Sequence, residues 1–469
     1  MEITRSIPFA LLLMILSGCA EYPSDHYRFL EDYQKEFSRR EISELSKQKI
    51  LTLSAAKEKA LKYNPDYRSA QRAVSSAKYR YYRSLSSYLP EVNFRADVRH
   101  SLKNSHDLLH PPAGVMPREN NLSAGLGVYA SLLVFDGLER EFSVMAARQE
   151  YRRQEALDCN ARRLLVRAVA YAYYDAVLAR EAQKIAEADL AFQKSSLRQA
   201  ENRYRNGLVS KASVLNFRIL ANAAERAILN ARYRGAIAKN SLCALMGFPL
   251  EDFPAELELS PLKVPDEKLY ANLDSCLEQA AANRPDLRAA AFLLDIAAFR
   301  KWSAYSAFLP VIRAETGLDF TSEDARYGGY QFNRSHHNTT DFYYGIGGEW
   351  NLFRGFSSWN LLRERRVREE LAKLHLKDIF LSAVNEVKDA FANYKNASLQ
   401  VSLCRKTVQW VYEQRSLVQS EFWCGHDTIT RLNGAQSDLV EAESKLAIAM
   451  AELCKAAVQL NAAMNLEDP

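Results

Sequence analysis

Two long stretches of the chain, Leu138 to Asn206 and Phe356 to Cys424, contain neither glycine nor proline. Those two residues are the strongest helix breakers, so their absence leaves nothing to interrupt a helix over either run. Beyond the N-terminal region no stretch reaches the ~18 consecutive apolar residues of a membrane-spanning helix, and any crossing of a bilayer therefore has to use strands. Charge of one sign is also scarce. The 62 basic residues face 57 acidic ones, for a net charge of +5 over 469 residues, without a basic block that could grip phosphates. Nucleic acid is excluded as a partner. Cysteines are few and scattered: Cys159, Cys243, Cys276, Cys404, Cys424 and Cys454 follow Cys19, with no CxxC and no histidine at ligand spacing. Neither a disulfide framework nor a zinc site is signalled. No GxxxxGK[ST] loop, Ser-His-Asp set, paired carboxylates or metal-ligand arrangement is present, so the reading is of a non-enzyme without a cofactor.

What is present begins with a processing signal over residues 1–18. Arg5 supplies the positive start, Phe9 to Leu16 the short apolar run, and Leu16-Ser17-Gly18-Cys19 follows directly. That tetrapeptide resembles a bacterial lipobox. The resemblance implies a mature chain starting at Cys19 that carries a diacylglycerol on its thiol and an N-acyl lipid. Ala20 and Glu21 come next in place of an aspartate, which favours outer-membrane sorting. Residues 19–53 read as an acidic and aromatic tether with Tyr22, Tyr27, Phe29, Tyr33 and Phe37.

The remainder is a tandem duplication. Asn64-Pro65-Asp66 recurs as Arg284-Pro285-Asp286 and Leu89-Pro90 as Leu309-Pro310, both at an offset of 220 residues. Phe135-Asp136-Gly137 answers Phe353-Arg354-Gly355, Gly207 answers Gly425, and Met246 answers Met464, all at an offset of 218. Two structural repeats follow, at 54–247 and 271–465, joined by a proline-rich connector at 248–270. In each copy a helix opens after the proline (Asp66 to Tyr88, Asp286 to Phe308) and stops at the next proline. Two strands come next, then a long helix of roughly 100 Å. A return helix runs from Lys211 to Met246 or from Ile429 to Met464. Helices of that length signal coiled coils or a helical barrel.

The strands alternate. Val92, Phe94, Ala96 and Val98 share one face against Asn93, Arg95, Asp97 and Arg99 on the other. The same pattern returns over Leu122–Leu132, Ile312–Phe320 and Phe342–Leu352. Strands of about ten residues, apolar outward and polar inward, are the pattern of a membrane β-barrel, and a bilayer requires that barrel to close. Four strands cannot close alone, whereas three chains supply twelve. The loops expected at Ser101–Asn121 and Thr321–Thr340 hold His106, His110, His336 and His337, with His100 just before the first. These read as surface histidines, since none has carboxylate support at fixed spacing.

This order of parts resembles the TolC-like outer-membrane efflux family over Leu53 to Met464. The carrying residues are Ala60-Leu61-Lys62-Tyr63-Asn64-Pro65-Asp66, both Leu-Pro stops, Val134-Phe135-Asp136-Gly137 and Leu352-Phe353-Arg354-Gly355, together with Arg203-Tyr204-Arg205-Asn206-Gly207-Leu208-Val209-Ser210 and Leu242-Cys243-Ala244-Leu245-Met246-Gly247. The resemblance implies a mainly α protein with a membrane β part. Duplicated long-helix hairpins would form a periplasmic α-barrel, and four strands per chain would contribute to a trimeric twelve-stranded β-barrel. It further implies a lipid-anchored homotrimer in the outer membrane that works as a passive exit duct with a periplasmic adaptor and an inner-membrane pump, in efflux or type I secretion.

Gly207 and Gly425 read as the tight turns between long and return helices, with Ser210 and Thr428 as N-caps of the latter. By the resemblance these turns form the gate and the adaptor-docking surface, which singles out Tyr204, Gly207, Ser210, Phe422, Gly425 and Thr428. The chain departs from the family where well-known members carry acidic side chains, six and nine residues past the second glycine, because Arg431 and Gly434 stand there. An acidic ring is not carried over, and Asp427 with Arg431 one helical turn on is expected to lock the gate instead. The rival class is an envelope-spanning structural lipoprotein scaffold without a pore.

Overall fold

The computed structural model describes residues 50–104, 118–248, 258–261, 272–328 and 333–466. The signal, Cys19, most of the tether, His106, His110 and most of the connector lie outside the described residues. Each copy starts with a short helix that the sequence reading did not separate: α1 (Leu53–Tyr63) before α2 (Pro65–Leu85), and later α5 (Leu273–Asn283) before α6 (Pro285–Ser303). Pro65 and Pro285 force the preceding residue out of helical geometry, so Asn64 and Arg284 are extended with ψ 122° and 123° and divide each pair.

Asn64 serves both ends of this break. Its Oδ1 accepts from the Tyr67 amide at 3.0 Å, capping α2, and its Nδ2 donates at 2.9 Å to the Leu245 carbonyl, the last residue of the return helix α4 (Lys211–Leu245). The connector contributes β4 (Glu258–Leu259), which pairs in parallel with β1 (Ile50–Leu51). The Tyr173 hydroxyl fastens that pair, donating to the Leu51 carbonyl at 2.9 Å and accepting from the Ser260 amide at 3.1 Å.

Four longer strands, β2 (Glu91–Asn104), β3 (Arg118–Phe135), β5 (Val311–Gly328) and β6 (Asn333–Glu349), form one antiparallel sheet in the order β2-β3-β5-β6. They outrun the ten residues expected. The ladder continues through polar pairs such as Asp324↔His336 and Tyr327↔Asn333, so the expected loops at 101–121 and 321–340 are in large part strand. The second hairpin ends earlier than its alternation suggested: Trp350 leaves the ladder and its Nε1 donates to the Phe308 carbonyl at 3.1 Å.

The register aligns Phe94, Val128, Leu318 and Phe342 in one row, and all four are exposed. The opposite face carries Arg95, Tyr129, Asp319 and Tyr343. There the Tyr129 hydroxyl donates to Asp319 Oδ2 at 2.6 Å and the Arg95 guanidinium lies 5.3 Å from the Tyr129 ring centre. Gly317 makes room for Tyr343, since a Cβ at that position would sit 2.6 Å from its ring. Among the described residues no strand lies beside the outward edges of β2 and β6.

Below the sheet run the long helices α3 (Glu139–Arg205) and α7 (Ser357–Cys424), with α8 (Ile429–Met464) returning along α7. Alone among the described helices α8 is long and apolar enough to cross a membrane, but Leu453, Ala457, Leu460 and Met464 are buried in a core with Val387, Ala390 and Val401 of α7. Beside this core an ion cluster joins the two copies. Arg284 Nη2 sits 2.6 Å from Asp286 and 2.8 Å from Glu386, Arg163 of α3 reaches Asp286 at 3.5 Å, and Arg167 reaches Glu386 at 2.9 Å. Arg163 and Arg284 also donate to the Ala462 and Ala463 carbonyls at the end of α8, at 2.9 and 3.2 Å.

Burial opposes ionisation of Asp286 and Glu386. Hydrogen bonds and charge from Arg284, joined by Arg163, outweigh it and hold both carboxyls below their ordinary range. The stability they contribute is therefore present above the unfolded carboxylate pKa of about 4 and is lost as pH falls through the lower folded values. Acid should lower the melting temperature, and Asp286→Asn with Glu386→Gln should flatten that fall. Arg284→Leu, which takes the shared cation from Asp286 and Glu386 and leaves them only Arg163 and Arg167, should cost about 3 kcal/mol in denaturant unfolding at pH 7.

Candidate functional site

The far ends of the two helical hairpins are built alike. After Arg205 the chain turns at Gly207, φ +72°, whose amide donates to the Tyr204 carbonyl at 3.0 Å while the Leu208 amide reaches Arg203 at 2.9 Å. After Cys424 it turns at Gly425, φ +84°, with Gly425 to Phe422 at 3.1 Å and His426 to Glu421 at 2.9 Å. Both are helix C-terminal motifs that need a residue in the left-handed region. A Cβ at either glycine would meet no atom within 4 Å, so backbone conformation alone selects glycine there. Ser210 then caps α4 by accepting from the Ser213 amide at 3.3 Å, and Thr428 caps α8 by accepting from the Arg431 amide at 3.4 Å.

A small core of Ala200, Val214, Phe217, Val418, Leu432 and Ala435 joins the tips. Phe422 packs edge-on to Phe217, with ring centres 6.4 Å apart, whereas Tyr204 is exposed. Two ties that the sequence reading did not single out cross between hairpins. Arg203 Nη2 donates to the Trp423 carbonyl at 2.6 Å and its guanidinium lies 4.8 Å from the Trp423 ring centre. Gln436 bridges Asp189 at 2.9 Å and Arg415 at 3.0 Å, and Arg415 lies over Phe192. Arginine in a last helical turn is common, so only its neighbour across the fold marks Arg203 as a tie.

The anticipated pair is present. Asp427 Oδ1 accepts from the Thr428 amide at 2.7 Å, and its Oδ2 lies 3.3 Å from Arg431 Nη1. That second contact is an ion pair without hydrogen-bond geometry. Asp427 is nearly buried while Arg431 is 63 % exposed, so the salt bridge shields the acid and leaves the cation facing outward.

Loss of either tip device has a distinct signature. Thr428→Ala should weaken the first turn of α8 by about 1 kcal/mol, read as faster amide exchange over residues 429–432 with the global melting temperature little changed. Gly425→Val should cost more, about 1–2 kcal/mol, because a β-branched residue is forced into the left-handed region.

The profile of the outer membrane efflux protein family matches residues 57–248 and 276–466, one segment in each copy. No curated protein matches the chain at a significant level. Among solved structures, the fold is similar to that of CusC, studied for folding and transmembrane channel formation, at 21% identity and a TM-score of 0.73 over 88% of this chain and 92% of that one. It is similar also to the outer membrane protein VceC from Vibrio cholerae, at 20% identity, a TM-score of 0.70, and 88% and 95% coverage. The open-state Neisseria gonorrhoeae MtrE outer membrane channel gives 21% identity, 0.69, and 88% and 89%. With both repeats matched by one profile, the chain belongs to the outer membrane efflux protein family.

Proposed function

We propose that three copies of this chain close their sheets into a twelve-stranded barrel across the outer membrane, and that their helices continue it into the periplasm as a passive exit duct. One observation carries this reading: a four-stranded sheet, apolar on one face and polar on the other, with both edges open among the described residues, stands on helices of roughly 100 Å. In a bilayer open edges are untenable, and another copy is the partner that matches.

The duplication supports a register for that match. The β5–β6 hairpin repeats the β2–β3 hairpin, since Val311↔Glu349 corresponds to Glu91↔Ser131 at offsets of 220 and 218 residues. Shifting the observed Val128↔Leu318 pair by the same offsets would set Ile346 beside the partner's Val98. Exposed Trp350, Phe353, Phe356 and Trp359 lie just below and suit the membrane–water boundary on the periplasmic side. A lipid on Cys19 would add a second anchor to the same membrane.

At the inner end, three copies of Arg431 would face a narrow aperture. Asp427 and Arg431 act as its lock, and the surrounding turns meet a periplasmic adaptor that couples the duct to an inner-membrane pump.

In a background with Cys159 and Cys424 replaced by serine, Ile346→Cys with Val98→Cys should cross-link chains into closed trimers. Ile346→Cys with Phe94→Cys, four residues out of register, should not. Planar-bilayer recordings of the purified protein should show discrete long-lived openings, and Arg431→Glu should change their ion selectivity. A stable monomer that carries no current would leave the structural scaffold as the better account, and unchanged selectivity would remove Arg431 from the gate.

A further inference from the structure

Between α6 and α7, below the sheet, lies an open groove of about 330 Å³. Its floor is apolar, formed by Leu293, Ile296, Leu371 and Ala372. Ile296 and Ala372 are buried, but Leu371 remains 59% exposed, so the floor is uncovered in the chain. The rim is basic: Arg300, Arg365 and Arg368 border it together with His375, and no carboxylate does. Arg368 is held by Glu364 at 2.5 Å. The acid beside the groove, Glu369, is engaged by Lys301 at 2.8 Å and Lys373 at 3.2 Å, which hold its carboxyl below the ordinary range. The guanidiniums of Arg300 and Arg365 have no ion-pair or hydrogen-bond partner among the described residues.

The same two arginines also line a second cavity of about 770 Å³, where Arg313 of β5 and Arg354 add two further guanidiniums. That cavity is walled by the polar sheet face through Glu315, Gly347 and Glu349, so it opens toward the inside of the proposed duct. Its four arginines are balanced by four carboxylates. Three of these already accept hydrogen bonds: Glu139 from Ser306 at 3.4 Å, Glu349 from Asn351 at 3.0 Å, and Asp136 from the Arg140 amide at 3.0 Å. With formal charge cancelled, this region does not gather ions at long range. Selection happens at contact, where unpaired guanidinium donors border an apolar surface.

We propose that the groove between α6 and α7 binds an amphipathic organic anion, with its apolar body on Leu293, Ile296, Leu371 and Ala372 and its head group between Arg300 and Arg365. The groove's volume lies at the lower end of small-molecule sites, and its composition, an apolar floor with a few placed polar groups, is the usual one. That the anion is a passenger of the duct rests on the channel reading; that it binds does not.

The test is titration calorimetry on the purified full-length protein in a neutral detergent, with three probes below their micelle concentrations. Decane-1-sulfonate carries body and head, methanesulfonate the head alone, and decyltrimethylammonium the body with opposite charge. Saturable binding of decane-1-sulfonate only, at one site per chain, is expected, weakened about tenfold or more by Arg300→Gln with Arg365→Gln. Leu371→Glu, at an exposed position that should spare folding, is expected to abolish it. Equal binding of the cationic probe, or unchanged affinity in Leu371→Glu, would overturn the proposal. In nanodiscs, phosphatidylglycerol should not compete with decane-1-sulfonate; competition would assign the groove to membrane lipid and overturn the passenger reading. A protein that binds but never conducts would remove the duct and keep the groove, and conduction without binding would do the reverse.

Discussion

The constraint on which everything else rests is that a peptide group in hydrocarbon has no water to bond with. A sheet whose two outward edges are open cannot remain so in a bilayer, where each unmet N–H or C=O costs several kcal/mol. For this chain the constraint acts on β2 and β6. In the proposed trimer it would make the single chain a fragment of a larger closed surface, with apolar side chains such as Phe94, Val98, Phe342 and Ile346, exposed on the sheet of the single chain, turned to lipid. The helices inherit the same geometry. Strands placed around a ring in the proposed trimer would carry the helices that continue from them into a ring as well, an arrangement that suits the alanine-rich cores of the two copies.

Much of this was legible in the residues. Helix length followed from two runs without glycine or proline, and the hairpin turns from glycines at corresponding positions in both copies. The N-caps Ser210 and Thr428 were readable because a hydroxyl before a helix has a local job that needs no knowledge of the fold. Strand faces followed from alternation. What escaped had a common cause: it depended on partners far along the chain. The strands run past their apolar stretch because backbone pairing does not require apolar side chains, so Asp324 and His336 could be neighbours in a ladder while looking like loop residues. The short helices α1 and α5 are hard to read from the residues because the proline that follows each is itself a strong helix-start signal.

The same holds for the site. Asp427 and Arg431 lie one turn apart on neighbouring positions of one chain segment, and their pairing could be anticipated. Arg203 with Trp423, or Arg163 with Asp286, are separated by well over a hundred residues, and an arginine on a long helix resembles every other solvated arginine until the fold brings its partner close. Burial, not residue type, separates Arg163 and Arg284 from the rest. The ion cluster is legible only where both copies are present and packed together.

The two copies, though duplicates, have diverged at one joint. In the first, a neutral amide at Asn64 ties the end of the return helix to the start of the next element; in the second, the equivalent place is taken by the charged Arg284 and its carboxylates. In a ring of three chains, as proposed, these joints would alternate, so that six nearly equivalent seams would be three of each kind. An acidic surrounding, or a reagent that competes for guanidinium, would soften every second seam and leave the intervening ones intact. In the proposed trimer, duplication would thereby give a nominally six-fold wall a three-fold pattern of weak points, and with it a definite set of places at which such a wall could yield without coming apart.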